Sequence, residues 1–181
     1  CNTDENVYKE RIYIDFMLEE RVAGVLLAPV CEENCAVKQL LDAGIPVVCI
    51  DRSIKDMEID TVMVDNVAGA YQATEHLILL GHRCIGAILG AHTTTGYQRE
   101  EGYRKALADY AIPFVPEYIQ REMPRENEGR KLTQHLLELE KPPSAIFCGN
   151  NLLTIGALAQ IHSMGLRVPD DVAIAGFDDL E

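Results

Sequence analysis

Several apolar stretches of the sequence end in carboxylate or amide side chains, and these positions are its best candidates for chemistry. IPVVCI is followed by Asp51, AIFCG by Asn150 and VAIAGF by Asp178. Short apolar runs bounded by turn residues predict buried parallel strands. Since ligands of open α/β sheets bind beyond the carboxyl ends of the strands, we expect these three side chains at a binding crevice. Their oxygens suit a polar, hydroxyl-rich ligand, and none of them is a nucleophile.

Arg99 is a candidate of a different kind. It lies near the start of a helix predicted over residues 96–111, where the helix dipole opposes a positive charge. Such a cation needs a specific partner, which is either a strand-end carboxylate or a bound ligand. Thr94 and Thr95, directly before this helix, join the candidate ligand-binding residues, and His92, in a loop at a strand end, could touch the same ligand.

The same polar residues also have structural interpretations, which the sequence leaves open. Asp51 and Arg52 are adjacent and can form a local ion pair in a turn, and Asp178 carries the same ambiguity. Asn150 and Asn151 precede a predicted helix. We expect Asn151 to be the N-cap of that helix, because an amide oxygen there accepts a hydrogen bond from a free backbone N–H of the first turn.

Motifs of the common enzyme classes are missing from the sequence. There is no GxSxG elbow, no P-loop, no HExxH spacing and no GxGxxG turn before a helix. Cys31 and Cys35 have no second pair to complete a zinc site, and His76 and His82 are better explained as residues near a helix end. We therefore expect a protein that is not an enzyme and that needs no metal or cofactor.

The composition limits the class of partner. The chain has 181 residues, is 48% hydrophobic and carries a net charge of −13, which indicates a globular protein whose surface repels the phosphate backbone of nucleic acids. Cys49, Cys84 and Cys148 lie in predicted strands among apolar neighbours, where cysteine behaves as a small buried hydrophobe. Reduced thiols favour the cytoplasm, and we find no long apolar run for a membrane span and no signal peptide.

Predicted strands and helices alternate along the chain. This order predicts α/β architecture, with parallel sheets covered by helices on both faces. Two β/α blocks meet near residues 62–67, where we place the domain boundary. The predicted strands are 23–30, 46–50, 61–65, 84–90, 117–122, 144–149 and 172–176, and the predicted helices are 7–20, 34–43, 68–80, 96–111, 126–139 and 152–164, of which the helix 68–80 is capped by Asp65 or Asn66.

Five blocks of sequence, in order and in spacing, resemble the lac repressor/gal repressor (LacI/GalR) family of transcriptional regulators. The resemblance implies a two-lobed, periplasmic-binding-protein-like fold in which each lobe is a parallel sheet flanked by helices. Residues 1–66 would be an incomplete N-terminal lobe and residues 67–181 the C-terminal lobe, while the family's helix-turn-helix headpiece is absent from this chain. The blocks are IPVVCIDRS, VMVDNVAGAYQATEHLILLGHRCIGAILG, QREEGYRKAL, PPSAIFCGNNLLTIGAL and GLRVPDDVAIAGFDDLE.

The family's binding residues carry over position by position. The resemblance implies that Arg99 grips the effector, that Asp178 accepts hydrogen bonds from sugar hydroxyls, that Asn150 points into the cleft, and that Asp51 lies on the opposite wall. The family usually has Asn-Asp where this chain has two asparagines at residues 150–151. Many members also place a sugar-stacking aromatic residue where this chain has Met-Pro-Arg at residues 123–125, so the ligand class stays open.

The helix after Asn150 carries apolar residues around much of its circumference, more than one buried stripe needs. The resemblance implies that this helix helps to form a two-fold homodimer, and Leu153, Ile155 and Leu158 are our candidate interface residues. The alternative is a helix buried between two layers of one monomer.

The function implied is effector sensing and dimerisation in a LacI-type repressor, with a small sugar or related metabolite as effector. Operator DNA would be bound only through the missing headpiece, and no membrane partner is expected. The alternative function is that of a periplasmic sugar-binding protein of a transport system, which shares the fold and the crevice.

Overall fold

The structure is a computed structural model that describes residues 1–31, 35–91 and 93–179, with residue 35 described by its backbone alone. The chain divides into two compact units, Cys1–Val64 and Asp65–Glu181. The elements of the first unit are α1 (Val7–Glu19), β1 (Val25–Leu27), α2 (Cys35–Asp42), β2 (Val47–Ile50) and β3 (Thr61–Val62). Those of the second unit are α3 (Asn66–Leu79), β4 (Ile85–Gly90), α4 (Thr94–Asp109), β5 (Ile119–Glu122), α5 (Glu126–Leu137), β6 (Ala145–Cys148), α6 (Asn151–Ser163) and β7 (Ala173–Gly176).

The first unit is a parallel sheet with the strand order β1-β2-β3. Side chains of a strand point alternately to its two faces, so Val25, Val47 and Cys49 are buried while Leu26 and Ile50 are exposed. The buried side chains form one core cluster with residues of α1 and α2. This sheet therefore packs its helices on the face that carries the buried residues.

The second unit is a parallel sheet with the strand order β5-β4-β6-β7. The central strands are buried on both faces. Ala87 and Phe147 belong to the cluster that contains side chains of α3 and α4, and Ile88 and Ile146 belong to the cluster formed with α5 and α6. The sheet is thus covered on both sides, as the alternation of strands and helices predicts.

Small residues allow the helices of each pair to approach closely. A Cβ atom at Gly102 of α4 would collide with the Val67 carbonyl oxygen in α3, and one at Gly156 of α6 would collide with the Glu126 carbonyl oxygen in α5. Neither helix pair can therefore accept a larger residue at its crossing without moving apart.

The α/β architecture predicted from the sequence is confirmed, with two kinds of difference: the described residues of the first unit cover one face of their sheet and leave Leu26 and Val62 exposed, and several elements end at other residues than predicted. The predicted strands 23–30 and 61–65 shorten to three and two residues. Helix α4 begins two residues earlier than predicted, because Thr93 caps it by accepting a hydrogen bond from the Gly96 N–H. The turn at Pro116–Tyr118 is a 3₁₀ turn that precedes β5.

One cysteine prediction is wrong. Cys84 is exposed, because it lies before β4 begins, where its carbonyl oxygen accepts a hydrogen bond from the Ser144 N–H. Cys49 and Cys148 are buried as expected, and burial raises the pKa of the Cys148 thiol to about 12. Cys148 is therefore a protonated, unreactive core residue.

Candidate functional site

Arg99 lies buried in the second unit, with 6% of its surface exposed. Its Nε donates a 2.9 Å hydrogen bond to Oδ1 of Asn66, and its Nη1 donates a short hydrogen bond to the carbonyl oxygen of Gly149. The guanidinium carbon lies 3.9 Å from the centre of the Phe177 ring. Nη1 is also 3.5 Å from Oδ2 of Asp178. The cation is thus held by residues from the start of α3, the end of β6 and the end of β7.

The start of α4 explains why Arg99 can reach this position. Gly96, in the first turn, has no room for a side chain, because a Cβ atom there would collide with the Gly90 carbonyl oxygen at the end of β4. The first turn of α4 therefore packs directly on the carboxyl end of the sheet. Arg99 follows one turn later on the same helix, which directs its side chain along the edge where the strands end.

The two threonines predicted to bind ligand lie in that first turn. Thr95 is buried, and its hydroxyl donates a 3.4 Å hydrogen bond to Oγ1 of Thr93. The hydroxyl oxygen of Thr94 is also buried, and it has no hydrogen-bond partner within the part of the chain that the structure describes. Because buried polar atoms are almost always satisfied in folded proteins, the Thr94 hydroxyl is a position where a ligand or water would be stabilised. His92, another candidate, lies outside the described residues.

Asn150 has a structural role that we expected of its neighbour, and the N-cap prediction for Asn151 is wrong. The backbone of Asn150 is extended, with φ −164° and ψ 172°, and its side-chain oxygen accepts a 2.9 Å hydrogen bond from the Leu153 N–H. Asn150 is therefore the N-cap of α6, and Asn151 is the first helical residue. The reason is that the backbone of Asn150 is still extended, and an extended residue directly before a helix is in the non-helical position that a cap requires.

Asp178 has a left-handed backbone conformation with φ +70°. The Phe177 N–H donates to the Cys148 carbonyl oxygen, so the chain stays paired with β6 up to this residue and then turns. The carboxylate of Asp178 is 43% exposed. At this exposure its 3.5 Å contact with Arg99 contributes little stability, and its side chain remains accessible to solvent.

Asp51 belongs to the first unit and is described by itself. Its backbone is also left-handed, with φ +67°, and its side chain is 48% exposed and 3.7 Å from Nε of Arg52. Arg52 makes its closest contacts with Glu5, at 2.7 Å and 3.0 Å, and donates to the Pro29 carbonyl oxygen. Burial works to lower the pKa of Arg52, but the hydrogen bonds and charge of Glu5 outweigh it and raise that pKa. Arg52 is thus a structural cation, and the Asp51 carboxylate stays partly exposed.

Sequence reasoning missed Asn66 and Phe177 as neighbours of Arg99. The sequence Asp65-Asn66 offers two capping residues for one helix, and the structure assigns the cap to Asp65, whose carboxylate accepts from the Ala68 N–H at 2.9 Å. Asn66 is then buried, with 2% of its surface exposed. The sequence did carry a signal for Asn66: only one of two adjacent capping residues can cap the helix, so the other must have a different role.

The predicted interface residues on α6 do not share one environment. Leu153 is fully buried in the cluster beneath α6 and α5, so we remove it from the candidate interface residues. Ile155 is 40% exposed, and Leu158 is partly exposed. The apolar positions of α6 therefore include both a core side and an outer side.

The described residues contain neither a metal-binding cluster nor a membrane-spanning helix. No group of three or more His, Cys, Asp or Glu side chains there is arranged to hold a metal ion. Within the same residues, no helix is both long enough and apolar enough to cross a membrane.

Comparison with known proteins gives consistent matches over nearly the whole chain. A family model described as periplasmic binding proteins and the sugar-binding domain of the LacI family matches residues 2–181. The HTH-type transcriptional repressor PurR of Actinobacillus pleuropneumoniae serotype 3 is 33% identical over 99% of this chain and 54% of its own length. The chain thus spans about half the length of the curated relatives it matches.

Solved structures agree with these sequence matches. The transcription regulator CcpA of Lactococcus lactis is similar with a TM-score of 0.89 and 26% identity, over 99% of this chain and 66% of that one. A complex of the transcriptional regulator CelR with cellobiose is similar with a TM-score of 0.85 and 29% identity, over 95% of this chain and 54% of that one.

Proposed function

Because this chain belongs to the LacI family of periplasmic-binding-protein-like domains, we propose that it is the effector-binding and dimerisation region of a transcriptional repressor. Family membership and the α/β fold implied by the sequence resemblance are confirmed by the comparisons above. Within the proposal, residues 1–66 are part of the N-terminal lobe and residues 67–181 form the C-terminal lobe. The observation that carries the proposal is a buried arginine beside a half-exposed aspartate at the carboxyl edge of a parallel sheet.

The proposed ligand contacts use both partners of this pair. The Arg99 guanidinium donates hydrogen bonds and the Asp178 carboxylate accepts them, so a ligand with neighbouring hydroxyl groups can bond to both. Thr94 adds a buried hydroxyl that lacks a partner among the described residues. Asp51 would contribute accepting oxygens from the N-terminal lobe. A sugar or related polar metabolite fits this set of donors and acceptors, and the CelR relative binds cellobiose.

Regulation would follow from differential binding. A ligand that binds one arrangement of the lobes more tightly shifts the population toward it, and coupling of about 1–3 kcal/mol is typical between two such sites.

The chain has a net charge of −13, so DNA would be bound through a headpiece outside this chain. The relatives PurR, ExuR and CytR are named as transcriptional repressors, which favours regulation in the cytoplasm over periplasmic transport.

A homodimer is part of the proposal. The outer side of α6 exposes Leu152 and Ile155, with Leu158 partly exposed beside them. Apolar side chains grouped on one helix face are typical of a protein–protein contact. We place the two-fold contact there and leave Leu153 to the core.

The function is tested by a thermal-shift screen of the chain against sugars, nucleobases and polyols. A true effector at a hundredfold excess over its Kd stabilises the folded state by about 2.7 kcal/mol. We expect the upward shift in Tm to fall by about half or more in Arg99→Ala and to persist in Arg167→Ala, which removes an exposed arginine before the amino end of β7. A ligand that stabilises both variants equally would place binding elsewhere and contradict the proposal.

A further inference from the structure

Arg99 is attached to the first turn of α3 at two points. The first is the hydrogen bond from its Nε to the Asn66 side chain. The second passes through Phe177, which stacks on the guanidinium. The Phe177 ring lies so close to Gly69 that a Cβ atom at Gly69 would be 2.7 Å from it.

That first turn is the point at which the chain enters the second unit. The units divide between Val64 and Asp65, and Asp65 caps α3 through its side chain and its carbonyl oxygen, which accept from the Ala68 and Gly69 N–H groups. Asn66 is the next residue. These contacts therefore connect Arg99 to the residues that come directly after the boundary between the two units.

Asn66 also has a second contact that fixes its own orientation. Its Nδ2 donates a 3.0 Å hydrogen bond to Oε1 of Gln98, the residue before Arg99. An amide side chain can donate and accept at once, so Asn66 bridges two consecutive residues of α4 from a position that is almost completely buried. An aspartate in place of Asn66 would keep the accepting oxygen, whereas an alanine would keep neither the accepting oxygen nor the donating NH₂ group.

We propose that Asn66 is a positioning residue that holds the Arg99 guanidinium, and that the binding of a ligand to Arg99 is thereby transmitted to the residues joining the two units. The transmission to ligand rests on the proposed function, whereas the positioning does not. Coupling between two positions is reciprocal. If loss of Asn66 loosens Arg99, loss of Arg99 loosens Asn66 by a comparable amount, and the transmission extends this loosening to the rest of the first turn of α3.

The positioning is tested without ligand by NMR, following hydrogen exchange of the Arg99 Nε–H group, whose signal is assigned from its loss in Arg99→Lys. We expect slow exchange in the unsubstituted chain and about tenfold faster exchange in Asn66→Ala, as the loss of one buried hydrogen bond implies. Asn66→Asp should retain slow exchange. Asn151→Ala is the matched control, since Asn151 is likewise the first residue of a helix, and it should leave the signal unchanged.

The transmission is tested in the same samples through the backbone amides of Ala68 and Gly69. Arg99→Ala should speed their exchange several-fold, and Asn151→Ala should not.

Unchanged exchange of Nε–H in Asn66→Ala, or loss of its protection in Asn66→Asp, would overturn the positioning. If Asn66→Ala fails to fold, Asn66→Asp alone decides it. Unchanged Ala68 and Gly69 exchange in Arg99→Ala would overturn the transmission. A screen that finds no ligand would contradict the proposed function and leave these results standing.

Discussion

At the scale of single residues, Arg99 combines two roles that substitution affects together. Its cation is buried against Phe177 and satisfies both Asn66 and the Gly149 carbonyl. Removing it deletes the hydrogen bonds that the Asn66 side-chain oxygen and the Gly149 carbonyl oxygen accept from it, which costs about 1–3 kcal/mol of stability. The burial of Arg99 therefore implies that its substitution weakens effector binding and lowers stability together.

We predict that Arg99→Ala weakens effector binding ten- to a hundredfold, because a hydrogen bond to a charged group contributes roughly 1.5–3 kcal/mol. Arg99→Lys should recover little of the affinity, since an ammonium group lacks the planar fork that both stacks on Phe177 and reaches Asn66. Isothermal titration with the ligand from the screen measures the first effect, and urea unfolding measures the accompanying loss of stability. Full affinity in Arg99→Lys would show that charge alone is sufficient.

At the scale of elements, Glu100 links α4 to β5. Its carboxylate accepts hydrogen bonds from Arg104 and Arg121, each at 2.7 Å. Burial works to raise the pKa of Glu100, but the hydrogen bonds and charges of Arg121 and Arg104 outweigh burial and hold that pKa below its usual range. A carboxylate whose pKa is depressed by folding stabilises the protein above its unfolded pKa, and this contribution is lost as pH falls through the folded pKa.

We predict that Glu100→Gln lowers the free energy of unfolding by about 1 kcal/mol near neutral pH. The difference from the unsubstituted chain should shrink as pH falls below about 4.3, the ordinary value for glutamate. Urea unfolding across this pH range measures it. Glu101→Gln, at the next and exposed position of α4, is the control. A difference that stays constant with pH would show that the two arginines do not depress this pKa.

The sequence predicted the order and type of these elements well because their apolar periodicity is strong. It could not predict the side of α6 that faces the sheet, since apolar residues surround much of this helix. Leu153 and Ile155 look equivalent in the sequence, yet one is in the core and the other is at the surface. The site was predicted in part: Arg99 and Asp178 come together, but Asn66 was considered only as a helix cap.

At the scale of the whole molecule, the outer side of α6 decides the oligomeric state in our proposal. We predict that Ile155→Asp produces monomers with an unchanged circular dichroism spectrum, because the charge is placed at an exposed position that only a second copy would bury. Leu153→Asp, the matched variant, should instead unfold the second unit, since it places an unpaired charge in the core. Sedimentation velocity distinguishes the two. Dimers that persist in Ile155→Asp would place the contact on another surface.

The left-handed backbone at Asp51 and Asp178 determines how these two residues should be probed by mutagenesis. Aspartate and asparagine tolerate this conformation better than other residues with a side chain, for which it is unfavourable by roughly 1–2 kcal/mol. An alanine scan at these positions would therefore measure backbone strain together with the missing carboxylate, and would assign both to ligand recognition. Asparagine keeps the local geometry and removes only the charge. Replacement of each aspartate by asparagine therefore measures its contribution to ligand binding, whereas replacement by alanine would overestimate that contribution.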